Sequence, residues 1–109
     1  MTDCLLVYIT ASGKAEAEML GRTLVEERLA ACVNIFEGVS SLYWWQGNLD
    51  TAEETLCVLK TTTERFPELS RRAKELHSYD TPCIVALPLV YGDADYLDWI
   101  RAETRSSRD

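Results

Sequence analysis

The chain has one histidine, His77, set in the stretch LHSYDTP directly after Lys74-Glu75-Leu76. Imidazole is a common metal ligand and a common proton carrier, so this is the first residue to weigh for chemistry. A lone histidine builds no histidine-rich site, so cysteines, carboxylates or further copies of the chain would have to complete one. The alternative role is a helix-end cap favoured by the dipole. The four cysteines, Cys4, Cys32, Cys57 and Cys83, lie about 25 residues apart with no Cys-x-x-Cys pair. Each sits in or beside an apolar run, where a reduced thiol behaves as a small core hydrophobe. A metal or thiol role would need three-dimensional assembly.

Other stretches offer less. TASGKAE places Gly13 and Lys14 at a strand-to-helix junction suited to an anion, but it lacks the second glycine of a phosphate loop and reads as a plain turn. There is no Gly-x-Ser-x-Gly nucleophile motif, and no cysteine has a basic neighbour in sequence. Glu53-Glu54 and Asp93/Asp95 read as surface acids or caps. Lys60 ends an apolar strand expected to run beside Tyr43 and Trp45, where it makes a cation–π contact, holds an anion or simply snorkels.

Length and charge narrow the classes. One domain is expected of 109 residues with 47% hydrophobic content. A net charge of −7, from 18 acids against 11 bases with no basic cluster, disfavours nucleic acid and anionic membrane as partners. The apolar runs fall short of the roughly 18 residues of a bilayer span, and the N-terminus shows no basic-then-apolar leader pattern, so the expected compartment is the cytoplasm.

The elements that must position these residues follow from periodicity. CLLVYIT (residues 4–10) reads as a strand and ends at Ala11-Ser12-Gly13. Ala17, Leu20, Leu24 and Val25 then recur at helical spacing from Lys14 to about residue 30, with Ser12 as the expected cap. CVNIFEGVSSLYWW (32–45) reads as one long strand, bulged near Glu37-Gly38. Gln46-Gly47-Asn48 supplies a turn, and ETLCVLKTT (54–62) returns as the second strand of a hairpin. Thr63 to Leu76 forms a helix with Pro67 in its first turn. CIVALPLVYG (83–92) is a fourth strand, DADYLDWIRAE (93–103) a short helix, and residues 104–109 a frayed tail. This order predicts an α+β, ferredoxin-like βαββαβ domain over residues 1–109, with a short C-terminal helix.

Two helices on a four-stranded sheet cover one face only. Yet residues 4–9, 56–59 and 83–87 are apolar at odd and even positions alike, where a wet face would alternate. Tyr43, Trp44 and Trp45 follow one another and cannot share one face of a strand. No sequence appears left over to cover the second face, so self-association is expected.

The segments LAACVNI, SLYWWQG, LKTT, LHSYDTP and GDADYLDWI, in this order over residues 4 to 101, resemble the CutA family of divalent-cation tolerance proteins. In that resemblance Tyr43, Trp45 and Gly47 match the family's hairpin, Lys60 and Thr61 its lysine-threonine pair, Glu54 its glutamate, and His77, Tyr79 and Pro82 its histidine-tyrosine-proline group. It implies a homotrimer related in architecture to the PII signalling proteins, with the sheet extended across subunits. It also implies a non-enzymatic role in tolerance of copper and other divalent cations, through clefts between subunits that would take a metal ion or a small anionic ligand. The expected ligand pocket comprises Tyr43, Trp45, Glu54, Lys60 and Tyr79. The copper ligands proposed in some members fall on Ile9, Leu76 and His77, so only His77 survives. The family's proline after the histidine is Ser78, and a frequent glutamate is Cys83, whose thiol is a soft ligand suited to Cu(I). His77 and Cys83 are thus the metal candidates, with no certain cofactor. The alternatives are a PII-like regulator binding an anionic metabolite or a partner protein without a metal site, and a small hydrolase on the acylphosphatase plan. The hydrolase would need an arginine after the first strand, where only Lys14 stands.

Overall fold

The structure is a computed structural model and describes residues 2–105. Its elements are β1 (Cys4–Ala11), α1 (Lys14–Glu26), β2 (Cys32–Trp45), β3 (Asn48–Thr62), α2 (Phe66–Leu76), β4 (Ile84–Pro88) and α3 (Ala94–Glu103). The strands form one antiparallel sheet in the order β2-β3-β1-β4, which is the expected ferredoxin-like arrangement.

Differences in the element ends have local causes. Helix α1 stops at Glu26 because Arg28 turns left-handed at φ 63°, and the N–H groups of Leu29 and Ala30 fold back onto the Leu24 carbonyl. Its N-cap is Gly13 rather than Ser12. Strand β4 ends at Pro88, which cannot donate to a ladder. The hairpin is longer than expected: β3 begins at Asn48, since Trp45 pairs with Asn48 across the two-residue turn Gln46-Gly47. Both turn residues have positive φ, 49° and 82°, the geometry of a type I′ turn that matches strand twist. The register shifts between Phe36 and Val39, with Gly38 at φ 74°, so the expected bulge is present. Asp93 caps α3 by accepting the Tyr96 N–H at 3.1 Å. Of the tail expected to fray, Thr104 is buried and its hydroxyl donates to the Ile100 carbonyl, while residues 106–109 lie outside the described residues.

Directly paired residues point to the same side of a sheet, so the register assigns the faces. Val7, Ile9 and Ala11 of β1, Cys57 and Leu59 of β3, and Val33 and Ile35 of β2 face the helices. There they close the main core with Ala17, Leu20, Leu24, Leu69 and Ala73. The opposite face carries Leu6, Tyr8, Leu56, Val58, Phe36, Val85 and Leu87. Here the sequence expectation needs correcting, because the chain does cover part of this face itself. Leu97 and Ile100 of α3 pack with Cys4, Ala31 and Leu89 at one end. The rest stays open, with Phe36, Val85 and Leu87 about half exposed.

Beyond the bulge, β2 and β3 leave the body as a two-stranded arm, which draws the subunit out to 45 Å against 27 Å and 22 Å in the other directions. Tyr43 and Trp45 continue the open face of the sheet, whereas Leu42 and Trp44 point to the helix side. Trp44 is 75% exposed and Trp45 44%, so both sides of the arm keep aromatic surface open among the described residues.

Candidate functional site

The residues expected to do chemistry meet where β1 ends, α2 ends and the loop to β4 begins. His77 is the C-cap residue of α2, its N–H bonded to the Ala73 carbonyl, and its ring is buried. The ring Nε2–H donates to the Thr10 carbonyl at 2.8 Å, and Nδ1 accepts the Tyr79 N–H at 3.1 Å. Both nitrogens are committed, which requires the Nε2–H tautomer and leaves no lone pair for a metal ion. The residue stands at the helix end, as weighed from sequence, but its ring ties α2 to β1 through Thr10 instead of capping the last carbonyls of the helix.

Glu16 ties the same junction together. One carboxylate oxygen accepts from the Ser12 N–H and hydroxyl, both at 2.9 Å, and the other from the Ser78 N–H at 2.8 Å, with the His77 ring 4.0 Å away. Burial works to raise its pKa, but the bonds from Ser12 and Ser78 outweigh it and hold the carboxyl down at about 2. No sequence motif singles out Glu16 as a site residue. The Ser12 to Glu16 spacing was the available signal, and the third partner, Ser78, lies 62 residues away. Because the folded pKa lies below the ordinary value, this stabilisation is present above pH 4.5 and is lost as the pH falls towards 2. Screened by solvent, it is worth on the order of 1 to 2 kcal/mol. Urea unfolding across that range should show an acid limb in the parent chain that is shallower by this amount in Glu16→Gln. Parallel limbs would refute the assignment.

Beside this junction Tyr79 donates its hydroxyl to Glu54 at 3.0 Å, and its ring lies 4.7 Å from that of His77. Burial and then the bond to Glu54 push the phenol up to about 12, with Tyr43 near enough to add to the effect. Partial desolvation of the thiol, helped by the Glu54 charge, also raises the pKa of Cys83, a residue that keeps an open side. Tyr43, Glu54, Tyr79 and Cys83 therefore share one neighbourhood.

Two members of the expected pocket lie elsewhere. Lys60 is paired with Cys32 and Leu6 rather than beside Tyr43 and Trp45, because the tight turn at Gln46-Gly47 sets Tyr43 opposite Asp50. Its ammonium donates to Asn34 Oδ1 at 2.6 Å, so the cation–π contact does not form within the subunit. Trp45 stands at the arm tip opposite Asn48. A cleft of about 530 Å³ lies elsewhere, between α3 and the start of α2, lined by residues such as Arg65 and Arg101 that belong to neither candidate set.

The family model described as CutA1 divalent ion tolerance protein matches residues 5–103. The chain belongs to the CutA1 family. It is 50% identical over 99 residues to the divalent-cation tolerance protein CutA of Thermus thermophilus, covering 91% of this chain and 96% of the relative. The CutA of Archaeoglobus fulgidus is 46% identical, covering 86% and 91%. Among solved structures, that of the Thermus thermophilus protein superposes with a TM-score of 0.92 at 48% identity, covering 94% of this chain and 99% of that one. The CutA1 of Oryza sativa gives 0.91 at 38% identity, covering 95% of each.

Within this CutA1 chain, the positions that the resemblance matched to copper ligands are built into the core. Ile9 is fully buried on the helix side, and Leu76 packs against the same cluster. Among the described residues, no three His, Cys, Asp or Glu side chains are gathered as a metal site.

Proposed function

We propose that this CutA1 chain works as a homotrimer, without enzymatic turnover, in tolerance of divalent metal ions, copper among them, through clefts that copies of the chain complete together. One observation carries the reading: an apolar sheet face and an aromatic arm, both open in the subunit, that continue into one another. Exposed apolar surface of this extent marks an interaction site. The absence of turnover is supported by the chemistry of the junction. The Tyr79 phenol and Cys83 thiol are pushed away from ionisation, and His77 has no free nitrogen. We place the protein in the cytoplasm, in keeping with four free cysteines; cell fractionation tests this.

A second reading is favoured by the commitment of both His77 nitrogens. In it the trimer is a PII-like scaffold that binds an anionic metabolite or a partner protein and needs no metal site of its own. Calorimetric titration of the reduced, metal-stripped protein with Cu(I) and Cu(II), with light scattering on the same samples, separates the two. Stoichiometric binding lost in Cys83→Ser or His77→Ala, with assembly intact, supports the metal reading. Weak, non-stoichiometric binding by an intact trimer supports the scaffold. A monomer at all concentrations overturns both.

A further inference from the structure

On the open sheet face two opposite charges each lack a partner of opposite sign among the described residues. Glu54 precedes Leu56 and Val58 along the same side of β3 and is 8% exposed, yet its carboxylate has only the neutral Tyr79 hydroxyl, and no cation lies in salt-bridge range among the described residues. Lys60, farther along that side of β3 between Leu6 and Cys32, is half-buried, and among the described residues its ammonium is met only by the neutral Asn34 amide. The two are six residues apart on one strand, which is about 20 Å at roughly 3.3 Å per residue, so they cannot neutralise each other within one subunit.

Covering this face, as the proposed assembly does, removes the remaining water from both groups. A carboxylate or ammonium left unpaired there opposes association strongly. Charges of opposite sign at the two ends of one face are what a symmetric assembly can satisfy, since the leading end of one copy meets the trailing end of the next. We infer that Glu54 of one copy pairs with Lys60 of a neighbouring copy, so that the Tyr43–Glu54–Tyr79–Cys83 neighbourhood gains its cation only on assembly. This rests on the self-association reading above and adds the pair that fixes how the copies are set against each other.

Charge exchange tests it. Glu54→Lys puts two ammonium groups at the contact and Lys60→Glu two carboxylates, so each is expected to raise the dissociation constant of the assembly at least about tenfold, and the doubly exchanged chain is expected to restore most of it. Light scattering against concentration gives the masses, and circular dichroism confirms the fold. Glu54→Gln and Lys60→Gln, which introduce no repulsion, replace the reversals if either fails to fold; the paired substitution should then cost less than the sum of the single ones. Additive effects with no recovery in an assembled parent overturn the pairing and leave self-association standing. That result is also expected if a metal ion is the counter-charge of Glu54, because Lys60→Glu cannot restore it. A parent chain that is monomeric throughout overturns the underlying reading instead.

Discussion

Cutting Trp44 and Trp45 back to alanine together is expected to give a folded subunit that no longer assembles. Trp44 is largely solvated in the subunit, at 75% exposure, and Trp45 keeps 44% of its surface open, so their removal should cost the subunit far less than truncation of a fully buried ring. Covered by neighbouring copies, each would bury a large aromatic area, and truncation would then cost on the order of 3 to 5 kcal/mol. The two rings point to opposite sides of the arm, so the pair tests cover on both. Light scattering should show the mass falling to that of one chain while far-ultraviolet circular dichroism is unchanged. An unaltered mass and melting temperature would remove these residues as assembly anchors.

The second large effect belongs to the subunit. Leu59 has no exposed surface, lies on the inner strand β3 opposite Val7 and Val33, and belongs to the cluster with Leu20, Leu24 and Leu69. Leu59→Ala should cost about 2 to 5 kcal/mol, the transfer of the lost atoms plus the cavity they leave. For a small domain that is a large fraction of a total near 5 to 15 kcal/mol. Urea unfolding at low protein concentration should show the midpoint falling by that margin. Leu49→Ala on the arm, at 54% exposure, serves as the comparison and should move it little. Equal shifts would mean that the sheet's helix-facing side is not the principal core.

Most of the fold was legible because it rests on local patterning. The long strand 32–45 and its bulge at Glu37-Gly38 follow from residue types at fixed spacing, and the structure has them; of the two roles open to Asp93, surface acid or cap, it takes the cap. The element ends were less legible, because the left-handed Arg28 carries no turn-forming residue type to announce it. The candidate site was legible only in parts. Tyr79 and Glu54 do meet, whereas Lys60 and Trp45 stand apart from them, since a strand carries residues away from one another at about 3.3 Å each.

By itself the sequence determined the class of fold, the family resemblance, and the need for cover over a sheet apolar on both sides, since these depend on periodicity and residue type. Tertiary structure alone decided three things. Helix α3 returns over one end of the open face, which no pattern within residues 94–103 announces. His77 spends both nitrogens on backbone groups, one of them 67 residues away. Glu16 clamps the chain between Ser12 and Ser78. In each case a partner is distant in sequence, and only the folded chain brings apolar side chains into contact, or a donor and an acceptor within 3 Å or so of one another.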